Sequence, residues 1–149
     1  MGILSTLNEE LKKAMLAKDA VKLDSLRAIK SAVLIAQTSG QKSGELSDED
    51  SIQLLQRLVK QRRDSALLYR DQNRSDLAGP EEAQAEIIAS FLPAQLSDDE
   101  LKNQIQAIIN ATGATGMKEM GKVMGMASKQ LAGKAEGKRI ADMVKQLLN

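Results

Sequence analysis

Two aromatic side chains, Tyr69 and Phe91, must serve a chain of 149 residues. Sheets rely on aromatic and β-branched side chains to cover their faces, whereas helices pack well with Leu, Ile, Ala and Met. Since 42% of the residues are apolar, a core can form, and it must be built from that aliphatic set. The expectation is an all-α, multihelical protein.

Apolar periodicity agrees along the whole chain. A first helix is expected over residues 4–17. Asp19 can cap a second, which runs to about residue 37 and ends in the Gly/Ser stretch TSGQKSGE. Its apolar face carries Val21, Leu26, Ile29, Ala32, Val33 and Ala36. Ser47 opens a long third helix, with Asp48, Glu49 and Asp50 at the positive end of its dipole. On that helix Ile52, Leu55, Leu58, Val59, Ala66 and Tyr69 face inward, and Arg62 falls among them. A long cation in that place either snorkels or pairs with an acid at a domain contact, or it is a binding group held by the core.

The segment NRSDLAGP interrupts the pattern. Pro80 fits the first position of a short fourth helix, which ends at Phe91-Leu92-Pro93. SDDE at 97–100 is a capping box for a fifth helix carrying Leu101, Ile105, Ile108 and Ile109 on one face. A sixth is expected over 117–131, stopped by Gly133, and a seventh over 136–148. The expected organisation is two different three-helix units joined by a partly helical linker. The N-terminal unit spans 1–75 with its long third helix, the linker 76–96, and the C-terminal unit 97–149.

The chain has no cysteine and no histidine. That excludes a thiolate nucleophile, a Ser-His-Asp triad, a zinc-finger ligand set and an imidazole acid-base group. No cofactor and no metal are expected. With no disulfide, no membrane-length apolar run and no secretory pattern, the expected location is cytoplasmic. The opening MGILST spells a myristoylation pattern, but the residues after it read as an ordinary amphipathic helix.

Formal charge is +1 but uneven. Residues 57–74 hold six basic and two acidic groups, and residues 113–149 hold seven and three. Both excesses suit a polyanion, or a solvated helix face.

GMKEMGKV at 116–123 imitates a phosphate-binding loop, G-x-x-x-x-G-K. It has Val123 where a hydroxyl should hold magnesium, and a helix where a strand should precede it. Periodicity accounts for it better. Met117, Met120, Val123, Met124, Ala127 and Leu131 gather on one arc as core, while Lys118, Gly121, Lys122, Gly125 and Lys129 gather opposite. Each glycine costs nearly 1 kcal/mol in a helix relative to Ala. Two of them, four apart and beside lysines, point to a close approach by a neighbouring helix or by a sugar-phosphate chain. Six of the ten glycines lie between residues 113 and 137.

Five stretches match a known pattern in order and spacing: LRAIKSA at 26–32, KQRRDS at 60–65, FLPAQLSDDEL at 91–101, MGKVMG at 120–125 and GKAEGKRI at 133–140. On them the chain resembles the GatB/YqeY family across nearly its whole length, and within it the stand-alone YqeY members. The resemblance implies two three-helix units with a partly helical linker. It also implies kinship with the tail of the B subunit of tRNA-dependent amidotransferases, a tail that helps to hold the tRNA body. The family label of carbon–nitrogen ligase with glutamine as amido-N-donor belongs to that larger enzyme, whose kinase, amidase and ammonia-channel parts lie outside the tail.

By motif, the RNA-binding candidates carried over are Lys118, Gly121, Lys122, Gly125, Lys129, Gly133, Lys134, Lys138 and Arg139. The first expectation is therefore a tRNA- or RNA-binding module in translation, without a catalytic site of its own. The alternative is a protein-interaction or assembly module docking to an amidotransferase subunit or another helical partner. Its candidates are Arg57, Lys60, Arg62 and Arg63 on the long third helix. The acids at 48–50 and 98–100 offer carboxylates for catalysis but are better explained as cap and dipole residues, so no catalytic residue is nominated.

Overall fold

The computed structural model describes residues 2–39 and 46–149. Among them are seven α-helices and no strand, the all-α multihelical class that an aliphatic core demands. The chain divides into two compact units, Met1–Leu92 and Pro93–Asn149.

In the first unit, α1 (Leu7–Ala17) begins after residues 2–6 have curled into turns, so it starts later than periodicity suggests. Lys18 closes it in the left-handed conformation (φ 55°), its N–H bonded to the carbonyls of Ala14 and Met15. The Asp19 carboxylate then accepts from Lys22 N–H at 3.1 Å and starts α2 (Ala20–Thr38) as expected. The Gly/Ser stretch expected to end α2 falls mainly on residues 40–45, outside the described residues. Ser47 caps α3 (Asp48–Asp71) by accepting from Asp50 N–H.

The fourth helix corrects an expectation. Pro80 is its sixth residue rather than its first: α4 runs Ser75–Ala89. Proline lacks an N–H, so it deprives the carbonyl four residues back of a bond. That carbonyl belongs to Asp76, which is exposed and can bond water. Asn73, left-handed at φ 58°, makes the tight turn from α3 into α4. Small buried residues, Ala66 on α3 and Ala78 on α4, belong to this hairpin. The core joins Leu7, Leu11 and Ala14 to Leu26, Ile29, Leu55, Val59, Ala85 and Ile88, so α4 belongs to the same core as α1, α2 and α3. Each fully buried Leu or Ile contributes about 1.5–3 kcal/mol.

The second unit opens with an extended lead-in and α5 (Asp98–Thr112). Its capping box is complete: Glu100 N–H donates to Ser97 Oγ and Ser97 N–H to the Glu100 carboxylate. Gly113, left-handed at φ 70°, ends the helix, a conformation that favours glycine. A 3₁₀ turn at Met117–Glu119 precedes α6 (Met120–Gln130), and α7 (Gly137–Leu148) closes the unit. Leu101, Ile105, Ile108 and Ile109 pack with Val123, Ala127, Leu131, Ala135, Ile140, Val144 and Leu148. Met120, Met124, Met126 and Met143 fill the margins of this core. Met117, expected inside, is 44% exposed, because the 3₁₀ turn carries it off the helical arc.

Candidate nucleic-acid interface

Helix α6 has two unlike faces. Val123 and Ala127 are fully buried, whereas Gly121, Lys122, Gly125 and Lys129 are exposed on the opposite side. The two glycines are not seats for a neighbouring helix, since a Cβ built on either meets nothing within 4 Å. Neither has a positive φ that would require glycine. Of the two explanations for their cost, packing by another helix of the same unit thus has no counterpart among the described residues.

The lysines are equally open. Lys118 in the 3₁₀ turn, Lys122 and Lys129 on the exposed side of α6, Lys134 in the turn after it and Lys138 in the first turn of α7 are all exposed. Among the described residues no acid lies within 4.0 Å of any of them. Glu136, which precedes α7, makes no side-chain cap bond, so the first amides of that helix lack one too.

Two carried-over candidates also make bonds within the unit. Gly133 is buried and left-handed (φ 79°), and its carbonyl accepts from Gln95 Nε2 at 2.7 Å. Arg139 donates through Nη2 to the Leu96 carbonyl and to Asp98 Oδ1, both at 2.9 Å. Leu96 N–H in turn donates to the Lys134 carbonyl at 2.8 Å. Together these bonds strap the extended lead-in to the α6–α7 turn. Gln95 was not legible as a partner, because its carbonyl acceptor lies 38 residues away.

The basic stretch of α3 behaves differently. Lys60 pairs with Asp64 on its own helix at 2.8 Å. Arg63 lies 3.9 Å from Glu86, and Arg70 grips both carboxylate oxygens of Glu82, one at 2.7 Å. Arg74 pairs with Asp76 in the same two-pronged way. Arg62, the cation within the apolar face, donates from Nε to Gln84 Oε1 at 3.1 Å and from Nη1 to the Leu58 carbonyl. Its partners are a neutral amide and a carbonyl, so it snorkels rather than pairing with an acid. The local excess of positive charge on α3 is largely answered by α4, whose acids a linear charge count does not place beside it. The hydrogen bond from Arg70 holds the Glu82 carboxyl below the usual carboxylate range, and Arg74 does the same for Asp76. Lys22, bonded at 3.0 Å, lowers Glu10 likewise.

Three yeast relatives bear on identity. A protein of Clavispora lusitaniae is 34% identical over 111 residues, covering 73% of this chain and 64% of that protein. One of Meyerozyma guilliermondii is 35% identical over 129 residues, covering 83% and 65%. One of Lachancea thermotolerans is 36% identical over 90 residues, covering 60% and 47%. All three are named "Altered inheritance of mitochondria protein 41, mitochondrial". The chain thus spans less than two thirds of the length of these relatives. Their names overturn the cytoplasmic expectation. Lack of cysteine does not distinguish one reducing compartment from another, and no helix among the described residues is long and apolar enough to cross a membrane. A family model described as Yqey-like protein matches residues 4–148, and the chain belongs to that family.

Proposed function

We propose that the C-terminal unit binds the sugar-phosphate backbone of structured RNA, with tRNA the first candidate, and has no catalytic role of its own. The observation that carries this reading is the open glycine face of α6, flanked by lysines that pair with no acid among the described residues. A helix pays for Gly121 and Gly125 in stability, and the structure offers no internal return. A bare backbone beside cations suits a bulky anion that must come close. The chain's two aromatics, Tyr69 and Phe91, lie in the other unit, so base stacking is no part of recognition by this one. Kinship with the tail of the amidotransferase B subunit supports tRNA over other RNA.

Binding by phosphate contacts releases counterions, so affinity falls steeply with salt. If three lysines each neutralise a phosphate, affinity drops about 40-fold between 50 and 200 mM salt; if five do, about 500-fold. Titration of labelled tRNA across that range measures the slope. Replacing Lys118, Lys122 and Lys129 together by Gln should flatten it by close to three contacts. No binding at the lowest salt, or a slope untouched by the triple substitution, would refute the proposal.

A further inference from the structure

The first unit carries a surface that RNA binding does not use. Helix α2 packs chiefly on α1 and α4, and α3 chiefly on α4, so α2 and α3 leave a groove between them. It encloses roughly 440 Å³ and is lined by Ala32, Ile35 and Ala36 on one side and by Leu54, Arg57 and Leu58 on the other. Ile35 is 65% exposed, far from what a satisfied core residue shows.

The spacing along both walls is that of a helix seat. On α3 the lining residues Leu54, Leu58 and Gln61 are separated by steps of four and three. On α2 the lining residues Ala32, Ile35 and Ser39 are separated by steps of three and four. Steps of four and three on two adjoining helices fit the side chains of a third between them.

Charge narrows the occupant. Between residues 57 and 74 of α3 and its turn, Lys60, Arg62, Arg63, Arg70 and Arg74 all have partners within the unit. Arg57 has none among the described residues; it lines the groove together with Asp50, whose carboxylate already accepts from Ser47 Oγ at 2.9 Å. We propose that this groove docks an amphipathic α-helix of a partner protein, with an acidic side chain beside its apolar stripe paired to Arg57. The inference is independent of the RNA proposal, which concerns the other unit.

A display library of random amphipathic helices, each about 16 residues or 24 Å long, selected against the whole chain, tests this. The expected winners share apolar residues at alternate steps of four and three, with one Asp or Glu alongside. Arg57→Glu should weaken a synthetic winner about tenfold, and exchanging the winner's acid for Lys should restore binding to that variant. Ile35→Glu should abolish binding. Both positions are exposed, so the fold is spared and tRNA titration of the two variants should be unchanged. Absence of enriched helices, or winners indifferent to Arg57→Glu and Ile35→Glu, overturns the proposal. So does sedimentation showing a dimer that Arg57→Glu dissociates, because a second copy would then fill the groove.

Discussion

Alanine at Gly121 and Gly125 should push stability and RNA affinity in opposite directions. Glycine in a helix interior costs about 1 kcal/mol relative to alanine. That cost is normally recovered where a neighbour needs the missing Cβ, yet here the added methyl meets nothing within 4 Å at either site. Gly125 is the sixth of eleven residues in α6, so Gly125→Ala should recover close to the full 1 kcal/mol. Gly121 is the second, where the helix is less committed, and about half is expected. Urea denaturation followed by circular dichroism reads both gains. If RNA approaches the bare backbone, the same methyl holds it off, and each variant should bind tRNA on the order of fivefold more weakly, equivalent to about 1 kcal/mol of lost contact. A Gly125→Ala protein that is not stabilised would show that something does occupy that face. One that is stabilised and binds tRNA as before would remove the reason for supposing that RNA comes close there.

Three other outcomes follow from named contacts. Arg139→Ala should cost about 1–2 kcal/mol of stability through the lost bond to the Leu96 carbonyl, yet leave the salt slope of tRNA binding intact; a slope reduced by one contact would return Arg139 to the RNA-binding set. Arg62→Ala should cost about 1 kcal/mol by leaving Gln84 and the Leu58 carbonyl short of a donor, measurable by urea denaturation and smaller if Gln84 is replaced first. The carboxyls of Glu10, Asp76 and Glu82 are depressed by their cationic partners, so the folded state binds fewer protons there than the unfolded one. That stability is present in full above the ordinary carboxylate range and is lost as pH falls through it toward the folded values. With no histidine or cysteine, no side chain has its ordinary pKa between about pH 6 and 8, and urea midpoints should stay level there; a midpoint that climbs on acidification would reverse the sign.

Local chemistry was legible and long-range chemistry was not. Asp19, Ser47 and the Ser97–Glu100 box announce helix starts because a cap acts within three residues of itself. Pro80 misled for the same reason. Its preference for a helix's first position is a local rule, overridden here by a start at Ser75 and by burial of Ala78 further along. The fates of Arg62, Arg63 and Arg70 depend on Gln84, Glu86 and Glu82, which approach only once α4 has folded back. In the candidate interface, periodicity placed Gly121, Lys122, Gly125 and Lys129 on one face. It could not show that no other helix of the same unit covers that face, which depends on how α5 and α7 pack. Gly133 and Arg139 came in by motif alone, and a motif does not separate residues that hold the unit together from residues that meet its ligand.

The strap that ties the lead-in to Gly133 and Arg139 also bears on time. Its bonds close over 43 and 38 residues, with α5 and α6 between them. Contacts so distant along the chain bear a large loop-closure cost and tend to form after the helices they enclose. Interactions absent from the folding transition state govern how fast a protein opens rather than how fast it closes. Cutting the strap should therefore shorten the lifetime of the native unit while its folding rate stays nearly constant. The lead-in is a latch on a structure that assembles without it.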